Sequence, residues 1–287
     1  MKTLLLPLPL CCVGWNFAGA QSQIPQYDPP PPAQYAPGNN GVEPNTQPLT
    51  EKQITDVRAL FESIKSGNGG ASAMGELVFL GRPVVPLLIE GLQNESTYVK
   101  MTVMNVMQQL KDPRTVEPLV ELAKKAEEET KVRTLAFQTA VKIRPEAALP
   151  ALEALASSAE FSGLRTTAAV EAKKIRAKET VPVLIKLLED EEKVVAVTAI
   201  SSLGVLTKFG DGHNWGDCYD DTFEDRIRAE DEAREKNWNL NQRCQALRKR
   251  WAKGWIDWWA DANKNGAYEF PQPNSPHDDL PVQPEPS

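Results

Sequence analysis

The sequence predicts an all-α protein: a right-handed α-solenoid of stacked antiparallel helix pairs, closed by a C-terminal helix rich in tryptophan. Three observations lead to this fold class: a proline that recurs every 32 residues, two apolar stripes in each repeat, and a tryptophan-bearing stripe after the last repeat. A self-similar period of this length is typical of proteins whose units stack in a row. One helix pair cannot bury its apolar face alone, so the pairs must pack against each other.

The first helix of each repeat is marked by a proline in its first turn, where the missing N–H would lack a partner in any case. These prolines are Pro86, Pro118, Pro150 and Pro182. Apolar residues follow each proline at one and two positions, and an apolar or small residue follows at five, so they share one helix face. This spacing predicts a short amphipathic helix.

The second helix of each repeat carries an apolar stripe at offsets of 0, 4, 8 and 11 residues, which only a 3.6-residue period places on one face. The stripes begin at Val99, Val132, Leu164 and Val195. Short polar segments, such as residues 93–96 and 189–192, separate the first helix from the second. We therefore expect two antiparallel helices joined by a turn in every repeat.

The second helix also opens with a recurring hydrophobic-then-basic step. The step reads Val99-Lys100, Val132-Arg133 and Leu164-Arg165, and the fourth unit departs from it with Val195-Ala196. With this step and the early proline, the chain resembles the HEAT repeat, in particular the short HEAT-like type named after phycobilisome lyases. The resemblance covers roughly residues 70–208. It implies an architecture and says little of activity, since one fold hosts many functions.

Residues 1–20 have the features of a secretory signal peptide: Lys2 at the start, an apolar run, and the small-residue cleavage site Ala18-Gly19-Ala20. We therefore expect an exported protein, periplasmic, cell-surface or extracellular, that begins at Gln21. The apolar run is too short to span a bilayer, so no transmembrane segment is expected. A lipoprotein anchored at Cys11 is the alternative, although the preceding residues match a lipid-attachment site poorly.

Residues 21–48 hold eight prolines among glutamine, asparagine and glycine, which predicts a disordered linker. The repeat solenoid is expected over residues 49–208. Its first unit, residues 49–81, is a degenerate helix pair, and about four 32-residue repeats follow. Thr50 and Gln53 predict a capping box at the start of the first helix.

Residues 209–270 are predicted to form a loop and then the tryptophan-rich capping helix. Its stripe has helical spacing and consists of Leu240, Cys244, Leu247, Trp251, Trp255 and Trp258. We interpret this face as a cover for the exposed end of the last repeat, and a ligand platform is the alternative. Residues 271–287 are proline-rich and acidic, and we expect them to be disordered.

A calcium site is one alternative for the end of this helix. Asp261, Asn263 and Asn265, followed by Gly266, match the opening of an EF-hand loop. Position 12 of that loop is Gln272, which cannot supply the bidentate carboxylate. We therefore expect a helix-ending turn stopped at the glycine, with calcium at the first three residues as the alternative.

The loop at residues 209–221 contains His213, Cys218 and four acids, which are ligand types, but their spacing matches no known metal loop. Cys218 and Cys244 are the two cysteines outside the signal peptide. A disulfide between them and two separate thiols both stay open, since the sequence does not fix their geometry.

The composition excludes several function classes. A net charge of −7 and a pI of about 5.1 argue against a nucleic-acid partner, which requires a basic face. The repeats contain no histidine or cysteine, and the chain has no phosphate loop or nucleophile elbow. We therefore expect no catalytic residue and no cofactor. The prediction is a non-enzymatic protein–protein interaction scaffold, monomeric, with a protein partner that the sequence does not identify.

Lys100, Arg133 and Arg165 are the candidate partner-binding residues, because they recur at one position of the repeat. The alternative, which we favour, is a structural ladder in which each cation binds a polar group of the preceding turn, such as Asn94 or Glu127. Two further functions are kept as alternatives: a chromophore-lyase-like enzyme, implied by the family resemblance alone, and a calcium-stabilised surface module.

Overall fold

The computed structural model describes residues 47–67, 70–208, 236 and 240–271, and every regular element in them is helical. This agrees with the predicted all-α fold class. Several predictions lie outside the described residues: the signal peptide, the linker up to residue 46, the loop with His213 and Cys218, and the tail after residue 271. The side chain of Cys244 also lies outside them, so the choice between a disulfide and two separate thiols stays open.

The helices follow each other in pairs. Their bounds are α1 Glu51–Lys65, α2 Gly70–Leu80, α3 Val85–Gly91, α4 Thr97–Leu110, α5 Val116–Lys124, α6 Thr130–Ile143, α7 Leu149–Ala156, α8 Ser162–Ala172, α9 Thr180–Leu187, α10 Lys193–Thr207 and α11 Leu240–Ala262. The even-numbered helices α4, α6, α8 and α10 contact one another in sequence, and the odd-numbered helices α5, α7 and α9 do the same. This is the contact pattern of an α-solenoid, while its right-handed sense stays a prediction.

Local sequence signals set the ends of these helices. Thr50 and Gln53 form the predicted capping box, with Gln53 N donating to Thr50 Oγ1 over 3.3 Å and Thr50 N donating to Gln53 Oε1 over 2.9 Å. The recurring prolines occupy the second or third residue of α3, α5, α7 and α9, as predicted. Lys111 and Lys208 end α4 and α10 in the left-handed conformation, with φ of 48° and 57°.

The predicted apolar stripes form the core. Val99, Val103 and Met107 on α4 are fully buried, and so are Leu164 and Ala168 on α8. One hydrophobic cluster runs from α1 through all the repeats to α11. Burying each leucine-sized side chain contributes about 1.5–3 kcal/mol. Because these side chains are buried where repeats stack on each other, every repeat is stabilised mainly by its neighbours.

The tryptophan helix α11 joins this core at the last repeat. It contacts α9, and its Ala252 and Trp255 are buried in the common cluster. Trp251 and Trp258 are half-buried against the same cluster, as the stripe predicts. Its role as a cap that keeps the solenoid soluble stays a prediction.

No described helix is long and apolar enough to cross a membrane by itself. The apolar helix α2 and the following segment Arg82–Gly91 meet the length and composition of a span only together, as a pair bent by 108°.

Candidate protein-interaction surfaces

A groove of about 310 Å³ lies between the first two helices. It is lined by Gln53, Asp56, Val57 and Leu60 of α1 and by Gly75, Glu76, Phe79 and Leu80 of α2. All of these residues belong to the first helix pair, so the groove lies on the part of this pair that the next repeat does not cover. We call it the N-terminal groove.

Helical spacing places the lining residues of each helix side by side. On α1, residues 56 and 57 lie three and four positions after residue 53, and residue 60 lies four and three positions after them. On α2, residues 79 and 80 lie three and four positions after residue 76, and these are the spacings of neighbours on one helix face. An adjacent face of α1 carries Phe61 and Ile64, which are buried in the core. The first helix therefore faces the solenoid with one side and borders the groove with the next.

The N-terminal groove has an apolar floor and an acidic rim. Val57 is fully buried at its base, and Leu60 is half-buried. Phe79 stands at the edge with 89% of its surface exposed. Asp56 and Glu76 are exposed acids beside it. Single exposed apolar residues are common on proteins, but a large aromatic side chain beside an apolar groove is typical of an interaction site.

The wall formed by α1 is fixed to the next repeat. Arg58 Nη2 on α1 donates to Glu90 Oε2 on α3 over 3.2 Å. The ring of Phe61 lies against Gly91, where an added Cβ would be 3.1 Å from the ring atom Cζ. The groove is therefore part of a packed helix array, with α1 held directly on α3.

Two of the predicted partner-binding cations link neighbouring repeats. Lys100 Nζ donates to Glu128 Oε2 over 2.5 Å. Arg165 donates from Nε and Nη2 to the two carboxylate oxygens of Asp190, over 2.6 and 2.9 Å. Each carboxylate lies in the turn of the following repeat. The hydrogen bond with Asp190 raises the pKa of Arg165. The two cations thus link consecutive repeats, but through carboxylates of the following turn and not through the preceding turn that the ladder interpretation expected. We call these contacts the cation ladder.

The third cation and the ladder partners differ from expectation. Arg133 is buried, and its Nε donates to the Ala123 carbonyl of its own repeat over 3.0 Å. Asn94 Oδ1 accepts from Ser96 N, 2.8 Å away, and is not the partner of Lys100. Only 12% of the Lys100 side chain and 14% of the Arg165 side chain are exposed. These cations therefore offer little surface, and partner binding by them stays a prediction.

A second ionic contact joins the first two regular repeats. Arg114 donates from Nε and Nη2 to Asp112, over 2.9 and 2.8 Å, and from Nη2 to the Arg82 carbonyl over 3.0 Å. The side-chain hydrogen bond from Arg114 lowers the pKa of Asp112, which is buried. This cluster ties the start of one repeat to the start of the next.

The segment after α11 folds back along the last repeats. Tyr268 makes edge-to-face contacts with Trp258, Trp259 and Phe270, with ring centroids 5.7, 5.0 and 5.2 Å apart. The guanidinium of Arg176 lies 5.4 Å from the centre of the Phe270 ring. These aromatic faces are therefore engaged with one another and with α8–α9, which favours a structural role over a ligand platform.

The calcium alternative falls on a helix-ending turn. α11 ends at Ala262, and Asn265 and Gly266 follow in the left-handed conformation, with φ of 64° and 66°. Asn263 Oδ1 accepts a hydrogen bond from Tyr268 N over 3.3 Å. Within the described ranges, no group of three or more histidine, cysteine, aspartate or glutamate side chains is placed to hold a metal ion. Calcium at Asp261, Asn263 and Asn265 stays a prediction.

Sequence reasoning missed the N-terminal groove. The available signal was Phe79, a large aromatic residue of α2 that lies off the buried face formed by Ala73 and Leu77. The sequence does not show what lies beside a residue outside the buried face. Only the packing of α1 against α2 shows that Phe79 borders a groove.

Comparison with known proteins supports the repeat assignment. Residues 85–173 match the family model for HEAT repeats. The matched segment contains the helix pairs from α3 to α8, whereas α1 and α2 lie before it and α9, α10 and α11 lie after it. A comparison with curated proteins gave no match for the chain.

Proposed function

We propose that the chain is a non-enzymatic protein-interaction scaffold and that its protein partner docks in the N-terminal groove. Stacked HEAT repeats provide extended surfaces that commonly bind proteins. The observation that carries the proposal is the 89% exposed Phe79 beside the apolar floor of the groove. Aromatic side chains of this kind dominate binding energy when a partner buries them.

The interior of the solenoid supports a scaffold role. The continuous core and the cation ladder hold successive repeats in fixed contact. A partner would therefore meet a preformed groove and would lose little affinity to ordering it. A large aromatic anchor is worth about 2 kcal/mol on truncation, which corresponds to roughly a thirtyfold change in affinity.

Partner capture tests this function. The chain is immobilised as wild type, as Phe79→Ser and as the control Tyr98→Ser, which removes another exposed aromatic residue (73% exposed) away from the groove. We expect a protein that the wild type and Tyr98→Ser retain and that Phe79→Ser loses. Equal retention by all three variants, or by none, would refute docking at the groove.

Export is a part of the proposal, supported by the signal-peptide pattern of residues 1–20. N-terminal sequencing of the protein from the exported fraction should begin at Gln21. An intact Met1 in that fraction, or retention of the protein in the cytoplasm, would contradict it. The relation to phycobilisome-type lyases stays a prediction, tested by transfer of a bilin to an acceptor cysteine.

A further inference from the structure

We infer that the occupant of the N-terminal groove is an amphipathic helix of a partner protein, with an apolar stripe flanked by lysine or arginine. This inference rests on the function proposed above and specifies the chemistry of the partner. It follows from the shape of the groove, from the sequence before α1, and from the charges on the rim.

The shape of the groove favours a helix. Inside the solenoid, α4, α6, α8 and α10 pack beside one another in sequence, and so do α5, α7 and α9. The first pair has a neighbour on its α3–α4 side, and within the part of the chain that the structure describes, α1 and α2 alone line the groove between them. A groove bounded by two helices accepts the apolar stripe of a third, read as side chains at i, i+3 or i+4, and i+7. A volume of about 310 Å³ has room for a few such side chains.

The sequence immediately before α1 is not expected to supply this helix. Residues 21–48 contain eight prolines, and proline in a helix interior removes a hydrogen bond and clashes with the preceding turn. A helix that fills the groove is therefore not expected from residues 21–48, and a second protein is the occupant to which we commit.

The rim charges select a basic helix. Asp56 and Glu76 are exposed on opposite walls of the groove, one on each helix. Lysine or arginine beside the apolar stripe would face these carboxylates, whereas acidic residues would be repelled. The same two acids disfavour an anionic membrane surface as the ligand of Phe79, although an apolar groove alone would accept either.

Synthetic peptides test this chemistry on the full chain. Two helical peptides of about 18 residues, or five turns, carry the same leucine stripe and differ in flanking lysine or glutamate. Fluorescence anisotropy should show that the chain binds the lysine peptide about tenfold more tightly than the glutamate peptide. The ratio of the two affinities should fall as the salt concentration is raised. Phe79→Ser should weaken the lysine peptide at least tenfold, and Tyr98→Ser should leave it unchanged.

A charge-reversal variant makes the test specific. Asp56→Lys combined with Glu76→Lys changes two exposed side chains, so the fold should be kept, and circular dichroism checks this. The variant should prefer the glutamate peptide. Equal binding of both peptides, or an unchanged preference in the variant, would overturn the inference. Phe79-dependent binding to phosphatidylglycerol vesicles in place of the peptide would overturn it in favour of a lipid.

The two proposals fail differently. If the chain captures a protein through Phe79 but binds the lysine and glutamate peptides equally, the inference of a basic helix is wrong and the scaffold function stands. If capture does not depend on Phe79 and neither peptide binds, both are wrong.

Discussion

Replacement of Gly91 by alanine tests how closely the first helix pair approaches the regular repeats. Gly91 ends α3, and a Cβ added there would be 3.0 Å from Val103 Cγ1 and 3.1 Å from Phe61 Cζ. Both side chains are buried, so neither can move into solvent. The corresponding positions of the other repeats hold Ala123, Leu155 and Leu187. The restriction to glycine therefore arises where Val103 of α4 and Phe61 of α1 both enter the contact.

The magnitude follows from two opposing effects. Alanine is favoured over glycine in a helix by at most about 1 kcal/mol, and less at the last residue. Overpacking a buried contact costs about 1–3 kcal/mol. We expect a net loss of about 1–2 kcal/mol in the free energy of unfolding, or a thermal midpoint lower by roughly 2–8 °C for a chain of this size.

Thermal unfolding followed by circular dichroism measures this change. The matched control is Gly254→Ala in α11, where a Cβ would meet no neighbouring group of the described residues within 4 Å. That substitution should raise stability by about 0.5–1 kcal/mol, because only the helix preference changes. A Gly91→Ala variant as stable as wild type, or stabilised like the control, would refute the close contact of Gly91 with Val103 and Phe61.

Three further substitutions test the interior. Asp190→Ala leaves Arg165 without its carboxylate in a mostly buried site, so it should lower the free energy of unfolding by about 3 kcal/mol. The control Asp257→Ala removes an exposed ion pair with Lys253 and should lower it by less than about 1 kcal/mol. Denaturant titrations measure both changes. The hydrogen bond from Arg114 holds the pKa of Asp112 below its ordinary value of 3.8. The ionised carboxylate therefore stabilises the fold above pH 3.8, and this contribution is lost as the pH falls through the lowered pKa. Asp112→Asn should make the thermal midpoint less sensitive to acid below about pH 4. Arg248 is buried, its burial lowers its pKa, and its Nε and Nη2 have no hydrogen-bond partner among the described residues. Arg248→Met should therefore raise the free energy of unfolding by about 1–2 kcal/mol. A lower free energy of unfolding, measured by calorimetry, would contradict this.

The helices were predictable because burial follows a local period. Leu164, Ala168 and Ala172 lie four residues apart, and all are fully buried. The proline and the cap at Thr50 act through neighbouring backbone groups, so they too are visible in the sequence. The hand of the solenoid depends on how whole pairs pack, which no single stripe encodes.

The sites were less predictable because their geometry is not local. Glu127 and Glu128 are adjacent carboxylates in one turn, and only the backbone direction of that turn decides that Glu128 meets Lys100. The N-terminal groove needs α1 and α2 in place before Phe79 has a neighbour. The recurring Lys100, Arg133 and Arg165 were visible in the sequence. Their burial and their hydrogen-bond partners were not, because both depend on the neighbouring repeat.

Site-specific photo-crosslinking tests the central claim most directly. A photoreactive phenylalanine is placed at residue 79 or, as the control, at residue 98, and the cells that produce the protein are irradiated. Both positions are exposed aromatic residues, so the substitutions should be tolerated equally. We predict one protein adduct from position 79 that position 98 does not give. No adduct at 79, or the same adducts at both positions, would contradict a scaffold that binds its partner through the N-terminal groove.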